Sequence, residues 1–194
     1  MATPFASMDR AALDGSRPVQ AYSAAQQALH WATALLIVTL VPVGLTMTRL
    51  GEGALTNTLY ELHKSLGLTV FALALARIVL RLVRGAPPLV PGLPGWQRAA
   101  AHGSHLALYI LVVLVPLSGW AATSACCAPV NLFWTLPLSL PVEGGMEAAK
   151  GIFAVHEALA FTLSAIVLIH VGAALHHHLI RRDATLRRML PGAR

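Results

Sequence analysis

The chain has 194 residues, of which 56% are apolar and only 11% charged, and its mean hydropathy is strongly positive at +0.66. This composition excludes an ordinary soluble enzyme and is typical of a small integral membrane protein. The net charge of +6 does not indicate a nucleic-acid binder, because the basic residues flank apolar runs and do not alternate with aromatic residues on a polar face.

Four apolar stretches divide the chain, and each approaches the ~20 residues that a helix needs to cross a bilayer. They cover residues 27–48, 64–83, 104–124 and 157–178. A backbone in lipid must satisfy its own hydrogen bonds, so these stretches predict helices; none shows the alternation of a barrel strand. The predicted fold is therefore an all-α membrane protein with a four-transmembrane-helix bundle.

The predicted bundle spans residues 24–182, between an N-terminal extension (1–23) and a C-terminal tail (183–194). The extension lacks the basic start and short apolar core of a signal peptide, so the first apolar stretch is predicted to remain as a membrane helix. Basic residues concentrate before helix one, between helices two and three, and after helix four, whereas the opposite side has only Arg49, Lys64 and Lys150. This bias predicts that both termini are cytoplasmic.

The segment HEALAFTLSAIVLIH begins at His156 and ends at His170, with almost only apolar residues between them. Polar side chains at membrane depth are costly and usually mark function. Residues 14 apart lie within about 40° of each other on one helix face and are separated by about 21 Å of rise. The spacing predicts one imidazole near the outer surface and the other in the inner half of the membrane.

Each of these histidines has a predicted partner at the same depth. Helix two starts on the outer side with His63, and helix one starts on the inner side with His30, so the predicted pairs are His63 with His156 and His30 with His170. Two neutral imidazoles without nearby cysteines suit haem iron better than zinc, which prefers four ligands. The sequence predicts a di-haem bundle in which these four histidines are the axial ligands of the haem irons.

Further polar residues lie near the predicted inner site. Arg77 follows His63 by 14 residues and is expected at the inner level, where a guanidinium can pair with a haem propionate. Arg81 is expected to reach the cytoplasmic headgroups instead. His102 and His105 are a competing pair of ligands for His30, or hydrogen-bond partners of a propionate or quinone, or interfacial residues.

The two cysteines, Cys126 and Cys127, are adjacent. Because neighbouring cysteines form disulfides only under strain, they are expected to be small apolar residues near a helix end. The apolar stretch that follows, to about residue 152, contains Trp134 and is expected either to lie against the bilayer or to cap the bundle.

Taken together, four segments resemble a known family. They are LHWATALLIV (29–38), HKSLGLTVFALALARIVLRL (63–82), AHGSHLALYILVVLVPLSGW (101–120) and VHEALAFTLSAIVLIHVGAALHHHLIRRDATLRRMLPG (155–192). The chain resembles the bacterial cytochrome b561 family, small di-haem b cytochromes that include superoxide oxidase, over residues 22–193. The resemblance implies two b haems, electron exchange with quinone, and ligands at His30, His63, His156 and His170.

The length and the TLRRMLP end are similar to the superoxide oxidase branch. That resemblance implies a superoxide:ubiquinone oxidoreductase of the bacterial inner membrane, with two haem b, ubiquinone as acceptor, and lipid, quinone and superoxide as partners. Lys64, next to His63, is then a candidate for steering superoxide, with Lys150 as second choice, although Lys64 also suits the outer headgroups.

Two other functions stay open. One is a cytochrome b subunit that carries electrons for a partner dehydrogenase or hydrogenase. The other is a transition-metal transporter, which would need clustered ligands and carboxylates along a pore.

Overall fold

The computed structural model describes residues 20–127 and 129–192. Most of the predicted N-terminal extension (1–23) and the last two residues of the predicted tail lie outside the described residues. The described chain contains four long helices, α1 (Ala24–Met47), α2 (Ala54–Arg84), α3 (Gly95–Cys126) and α4 (Gly145–His176). All four are long and apolar enough to cross a membrane. The prediction of a four-helix transmembrane bundle is confirmed.

Three helices begin well before their apolar stretches. α2 begins at Ala54, α3 at Gly95 and α4 at Gly145, about ten residues earlier than the hydropathy pattern suggests. Hydropathy marks only the part of a helix that lies in lipid, whereas a helix continues into the membrane interface wherever its polar side chains are solvated. The early turns of α2 and α4 contain such residues, Glu61 and Glu147.

The helices pack as two antiparallel pairs, α1 with α2 and α3 with α4, joined by contacts between α2 and α3. A small core of Ile37, Ala74, Leu111, Val112 and Leu163 draws on all four helices. Among the described residues, α4 packs closely on α3 and makes no comparably close backbone approach to α1 or α2. A looser seam therefore runs between α4 and the α1–α2 pair.

The start of α1, the α2–α3 connection and the segment after α4 meet at one end of the bundle, which we name the terminal side. There the buried Arg188 accepts a hydrogen bond at its carbonyl oxygen from the Gln27 side chain at 3.1 Å. The Trp31 indole donates to the carbonyl of Met189 at 2.7 Å. The segment after α4 is thereby attached to the first turns of α1.

The opposite end, which we name the hairpin side, contains a small β-hairpin of two strands, β1 (Val130–Leu132) and β2 (Leu136–Leu138). The buried Ser65 of α2 accepts a hydrogen bond from the Phe133 amide at 2.9 Å. Trp120 of α3 donates to the Leu138 carbonyl at 3.3 Å. Of the two arrangements expected for this connection, the hairpin adopts the one that packs on the bundle.

The cysteines lie at a helix end, as expected, but the expectation that they are unbonded small residues was wrong. Cys126 and Cys127 are joined by a disulfide bond. α3 ends at Cys126, and Cys127 is in an extended conformation (φ −129°, ψ −173°). Because the chain leaves the helix between the two residues, their sulfur atoms can meet, which a continuous helix would not allow.

Candidate functional site

The four predicted histidines lie in the two predicted pairings. The His63 and His156 ring centroids are 6.3 Å apart, and those of His30 and His170 are also 6.3 Å apart. α4 contributes one histidine to each pair, and the partners come from α2 and α1. Both pairs therefore bridge the looser seam between α4 and the α1–α2 pair.

The spacing within each pair is significant for metal binding. Two imidazoles that bind one iron from opposite sides have centroids roughly 6 Å apart, because a metal–nitrogen bond is about 2 Å and each nitrogen lies about 1 Å from its ring centre. The observed 6.3 Å in both pairs fits this arrangement. Their role as ligands stays a prediction, which this spacing supports.

His156 is oriented by α3. Its Nδ1 lies 2.9 Å from the Val115 carbonyl oxygen and 3.3 Å from the Ser118 hydroxyl. Since a carbonyl oxygen only accepts, Nδ1 carries the ring proton and Nε2 is the nitrogen that can bind a metal. A metal-binding histidine commonly donates its other ring nitrogen to such an acceptor.

Glycines allow the helix backbones to approach both imidazoles on the hairpin side. A Cβ atom at Gly44 would lie 3.0 Å from Cε1 of His63, and one at Gly119 would lie 3.0 Å from Cε1 of His156. The Nδ1 of His63 is buried without a hydrogen-bond partner in the described structure. The two imidazoles are therefore closely enclosed by the backbones of α1 and α3.

Arginines surround the pair on the terminal side. An Nη atom of Arg77 lies 3.3 Å from Nδ1 of His30. The guanidinium carbons of Arg77 and Arg81 lie 5.6 and 5.7 Å from the centre of the Tyr109 ring, within cation–π range. Arg81 therefore lies beside Arg77 on the same aromatic ring. The sequence predicted that Arg81 extends to the headgroups and did not predict this contact.

His105 also lies in this cluster, beside His170. Its ring centroid is 5.5 Å from that of His170, a shorter separation than the one between His30 and His170. His105 therefore lies beside His170, and the alternative in which it pairs with His30 stays untested. His102 is exposed.

The candidate steering lysines both have acidic partners. Lys64 forms an ion pair with Glu61, one turn earlier in α2. Lys150 forms an exposed ion pair with Glu147 at 2.7 Å. Each carboxylate reduces the positive potential that the neighbouring lysine can project into solvent.

Sequence reasoning found the histidines because a polar residue in an apolar run is conspicuous, but it missed Gly44, Gly119 and Ser118. One signal was present: each glycine follows a proline within three residues, in VPVG and VPLSG. Proline and glycine are common in membrane helices, so the pattern alone does not identify a contact.

The sequence model of the prokaryotic cytochrome b561 family matches residues 21–192. The chain belongs to this family. It is 31% identical to "Cytochrome b561 homolog 2" of Escherichia coli over 87% of the chain and 90% of that protein. It is 32% identical to "Cytochrome b561 homolog 1" of the same organism over 88% of the chain and 97% of that protein. It is 27% identical to "Probable superoxide oxidase CybB" of Yersinia pestis over 89% of the chain and 97% of that protein.

Membership of the cytochrome b561 family implies b-type haem and a role in electron transfer. With its four membrane-spanning helices, the chain is a multi-pass protein of the bacterial inner membrane. In the part of the chain that the structure describes, no three His, Cys, Asp or Glu side chains are grouped to hold a metal ion. A pair of imidazoles, and not a larger cluster, is one arrangement that can hold a haem iron.

Proposed function

We propose that this cytochrome holds two b haems and works as a superoxide:ubiquinone oxidoreductase. The observation that carries the proposal is that two histidines of α4 each form an imidazole pair with another helix, with 6.3 Å between the ring centroids of each pair. In the proposed reaction two superoxide anions each lose one electron to give O₂, and one ubiquinone takes up two electrons and two protons. Two one-electron centres match this two-electron requirement.

The proposed ligands are His63 and His156 for the haem on the hairpin side, and His30 and His170 for the haem on the terminal side. A bound haem supplies a metal centre that changes by one electron. The chain supplies the ligand orientation, through Val115 and Ser118, and the enclosure, through Gly44 and Gly119.

Binding of a metal through Nε2 of His30 would remove the hydrogen bond that Arg77 now donates to Nδ1. The contact at 3.3 Å makes Nδ1 the acceptor for a guanidinium proton, which places the ring proton on Nε2. A ring that offers Nε2 to a metal carries its proton on Nδ1 instead, so Arg77 loses this acceptor. Its guanidinium, near Tyr109, would then be available to pair with a haem propionate.

The choice of superoxide as donor is supported by the resemblance to the protein named "Probable superoxide oxidase CybB". Lys64 is the proposed steering residue, and its pairing with Glu61 limits the expected effect. We expect Lys64→Glu to slow superoxide-driven haem reduction and to weaken its dependence on ionic strength. Lys150→Glu, on the exposed ion pair, is the matched variant, and equal rates in both variants and the parent would exclude steering.

The test of the proposed function is haem quantification on the detergent-purified protein, followed by anaerobic addition of superoxide with and without ubiquinone. We expect two b haems per chain, reduced by superoxide and reoxidised by ubiquinone. His156→Ala and His170→Ala should each lose one haem, whereas His176→Ala, an exposed residue in the last turn of α4, should keep both.

A preparation without haem would refute the ligand pairs. A protein with two haems that superoxide does not reduce would refute the superoxide activity. If such a preparation also contained a stoichiometric redox subunit, the cytochrome would instead serve as the electron carrier of a dehydrogenase or hydrogenase.

A further inference from the structure

The two helix pairs approach their hairpin-side histidines in the same way. In each pair a glycine of the first helix lies against an imidazole of the second: Gly44 of α1 against His63, and Gly119 of α3 against His156. The carbonyl that faces Nδ1 of His156 belongs to Val115, four positions before Gly119.

The two imidazoles nevertheless differ in the hydrogen bonding of their Nδ1 atoms. The Val115 carbonyl lies 2.9 Å from Nδ1 of His156. The buried Nδ1 of His63 has no hydrogen-bond partner in the described structure. His156 is therefore the more firmly oriented imidazole of the pair.

The residue immediately before each glycine explains part of this difference. In α3 it is Ser118, which donates its hydroxyl proton to the Val115 carbonyl at 2.8 Å and presents its oxygen to Nδ1 of His156 at 3.3 Å. In α1 the corresponding residue is Val43, which has no polar atom in its side chain. The aligned segments are LVPVG (40–44) and VPLSG (115–119).

We propose that Ser118 is a positioning residue that makes His156 the stronger electron donor of its pair and lowers the reduction potential of the hairpin-side centre. An imidazole that donates from Nδ1 to well-placed acceptors is a more basic ligand. A more basic ligand stabilises the oxidised iron, and second-shell hydrogen bonding is one of the means by which a protein sets a haem potential. This inference rests on the proposed binding of haem by His63 and His156.

The experiment is a redox titration of the full-length detergent-purified protein, followed optically, with haem counted in every variant. Ser118→Ala should shift one of the two midpoint potentials to a more positive value. Val43→Ser places a hydroxyl immediately before Gly44, the position that corresponds to Ser118, and should shift the same midpoint to a more negative value. Thr162→Ala is the control, because the exposed Thr162 hydroxyl bonds only to the Ala158 carbonyl of its own helix.

The outcomes separate this inference from the proposed function. Two haems in every variant with unchanged midpoints would overturn the role of Ser118 and leave the ligand assignment intact. The absence of haem from the parent protein would refute the ligand assignment itself. If Ser118→Ala loses a haem, Ser118→Thr, which keeps the hydroxyl, should restore both the haem and its midpoint; failure of Ser118→Thr to do so, with no shift in Val43→Ser, would overturn the inference.

Discussion

The backbone of α3 comes close to His156 because residue 119 has no side chain. A methyl group there would lie 3.0 Å from both Cε1 and Nδ1 of the imidazole. We expect Gly119→Ala to displace the ring, since overpacking of this kind typically costs about 1–3 kcal/mol. Haem content, measured per chain, should fall by up to one equivalent.

Gly172 of α4 provides the matched control for this substitution. A Cβ atom at Gly172 meets nothing within 4 Å. Gly172→Ala should therefore retain full haem content, and its thermal midpoint should stay the same or rise slightly, because alanine favours helix over glycine by roughly 0.5–1 kcal/mol. Equal haem content in both variants would show that the approach at Gly119 does not restrict the imidazole.

At the scale of elements, the hairpin is held to α2 by one buried hydroxyl. Ser65 accepts from the Phe133 amide, and Phe133 and Trp134 of the turn both have positive φ, 46° and 62°. Residues other than glycine in this region are strained, so the turn needs external support. Ser65→Ala leaves the amide without this acceptor, at a cost of about 1–3 kcal/mol if it stays buried.

The expected result of Ser65→Ala is faster backbone hydrogen exchange over residues 130–138, measured by mass spectrometry. Thr135→Ala is the control, because its exposed hydroxyl bonds only to the Leu132 carbonyl within the hairpin. Unchanged exchange in Ser65→Ala would mean that Trp120 and the packing of Val130 suffice to hold the hairpin.

The attachment of residues 183–190, the segment after α4, is expected to depend on the Asp183 carboxylate. Burial by itself would raise the pKa of Asp183, but hydrogen bonds from His177 and Thr185 outweigh it and hold the pKa below the ordinary value of 3.8. A group whose pKa is lowered by folding stabilises the fold above its ordinary pKa and loses that contribution as the pH falls through the lowered value. Attachment of residues 183–190 should therefore weaken in acid, below about pH 3.8.

Hydrogen exchange of the Arg188 and Leu190 amides, corrected for the intrinsic rate at each pH, measures this attachment. We expect protection near neutral pH and its loss in acid. Asp183→Asn removes the titrating group, so the variant should show less dependence on pH in this range. Identical pH profiles in the two proteins would exclude Asp183 as the controlling group.

A feature of this molecule can be predicted from the sequence when it depends on one segment of the chain alone. The four helices were predictable because an apolar run of about 20 residues in lipid has one way to satisfy its backbone. His63 and His156 were predictable at one depth because helix rise converts spacing into height. The contacts of Gly44, Gly119 and Ser118 were not predictable, because they depend on how closely neighbouring helices approach. The hairpin was not predictable either, because three-residue strands in an apolar loop give too short a pattern to recognise.

At the scale of the whole molecule, charge distinguishes the two sides of the bundle. Among the described residues, the terminal side has Arg77 inside the bundle and, at or beyond the helix ends, Arg81, Arg84, Arg98, Arg181, Arg182, Arg187 and Arg188. The hairpin side has Arg49, Lys64 and Lys150, and both lysines are ion-paired with glutamates. Short connections rich in Lys and Arg remain in the cytoplasm. We predict that the terminal side is cytoplasmic and the hairpin side periplasmic.

Reporter fusions test this orientation. Green fluorescent protein fused after Arg194 should fluoresce and alkaline phosphatase fused there should be inactive, whereas the same reporters fused after Gly51, in the α1–α2 connection, should give the reverse. This result would place the His63–His156 pair toward the periplasm, where the proposed reaction needs its superoxide. The opposite pattern would place that pair toward the cytoplasm, and because superoxide is an anion that crosses a lipid bilayer poorly, periplasmic superoxide would then have to react at the His30–His170 pair.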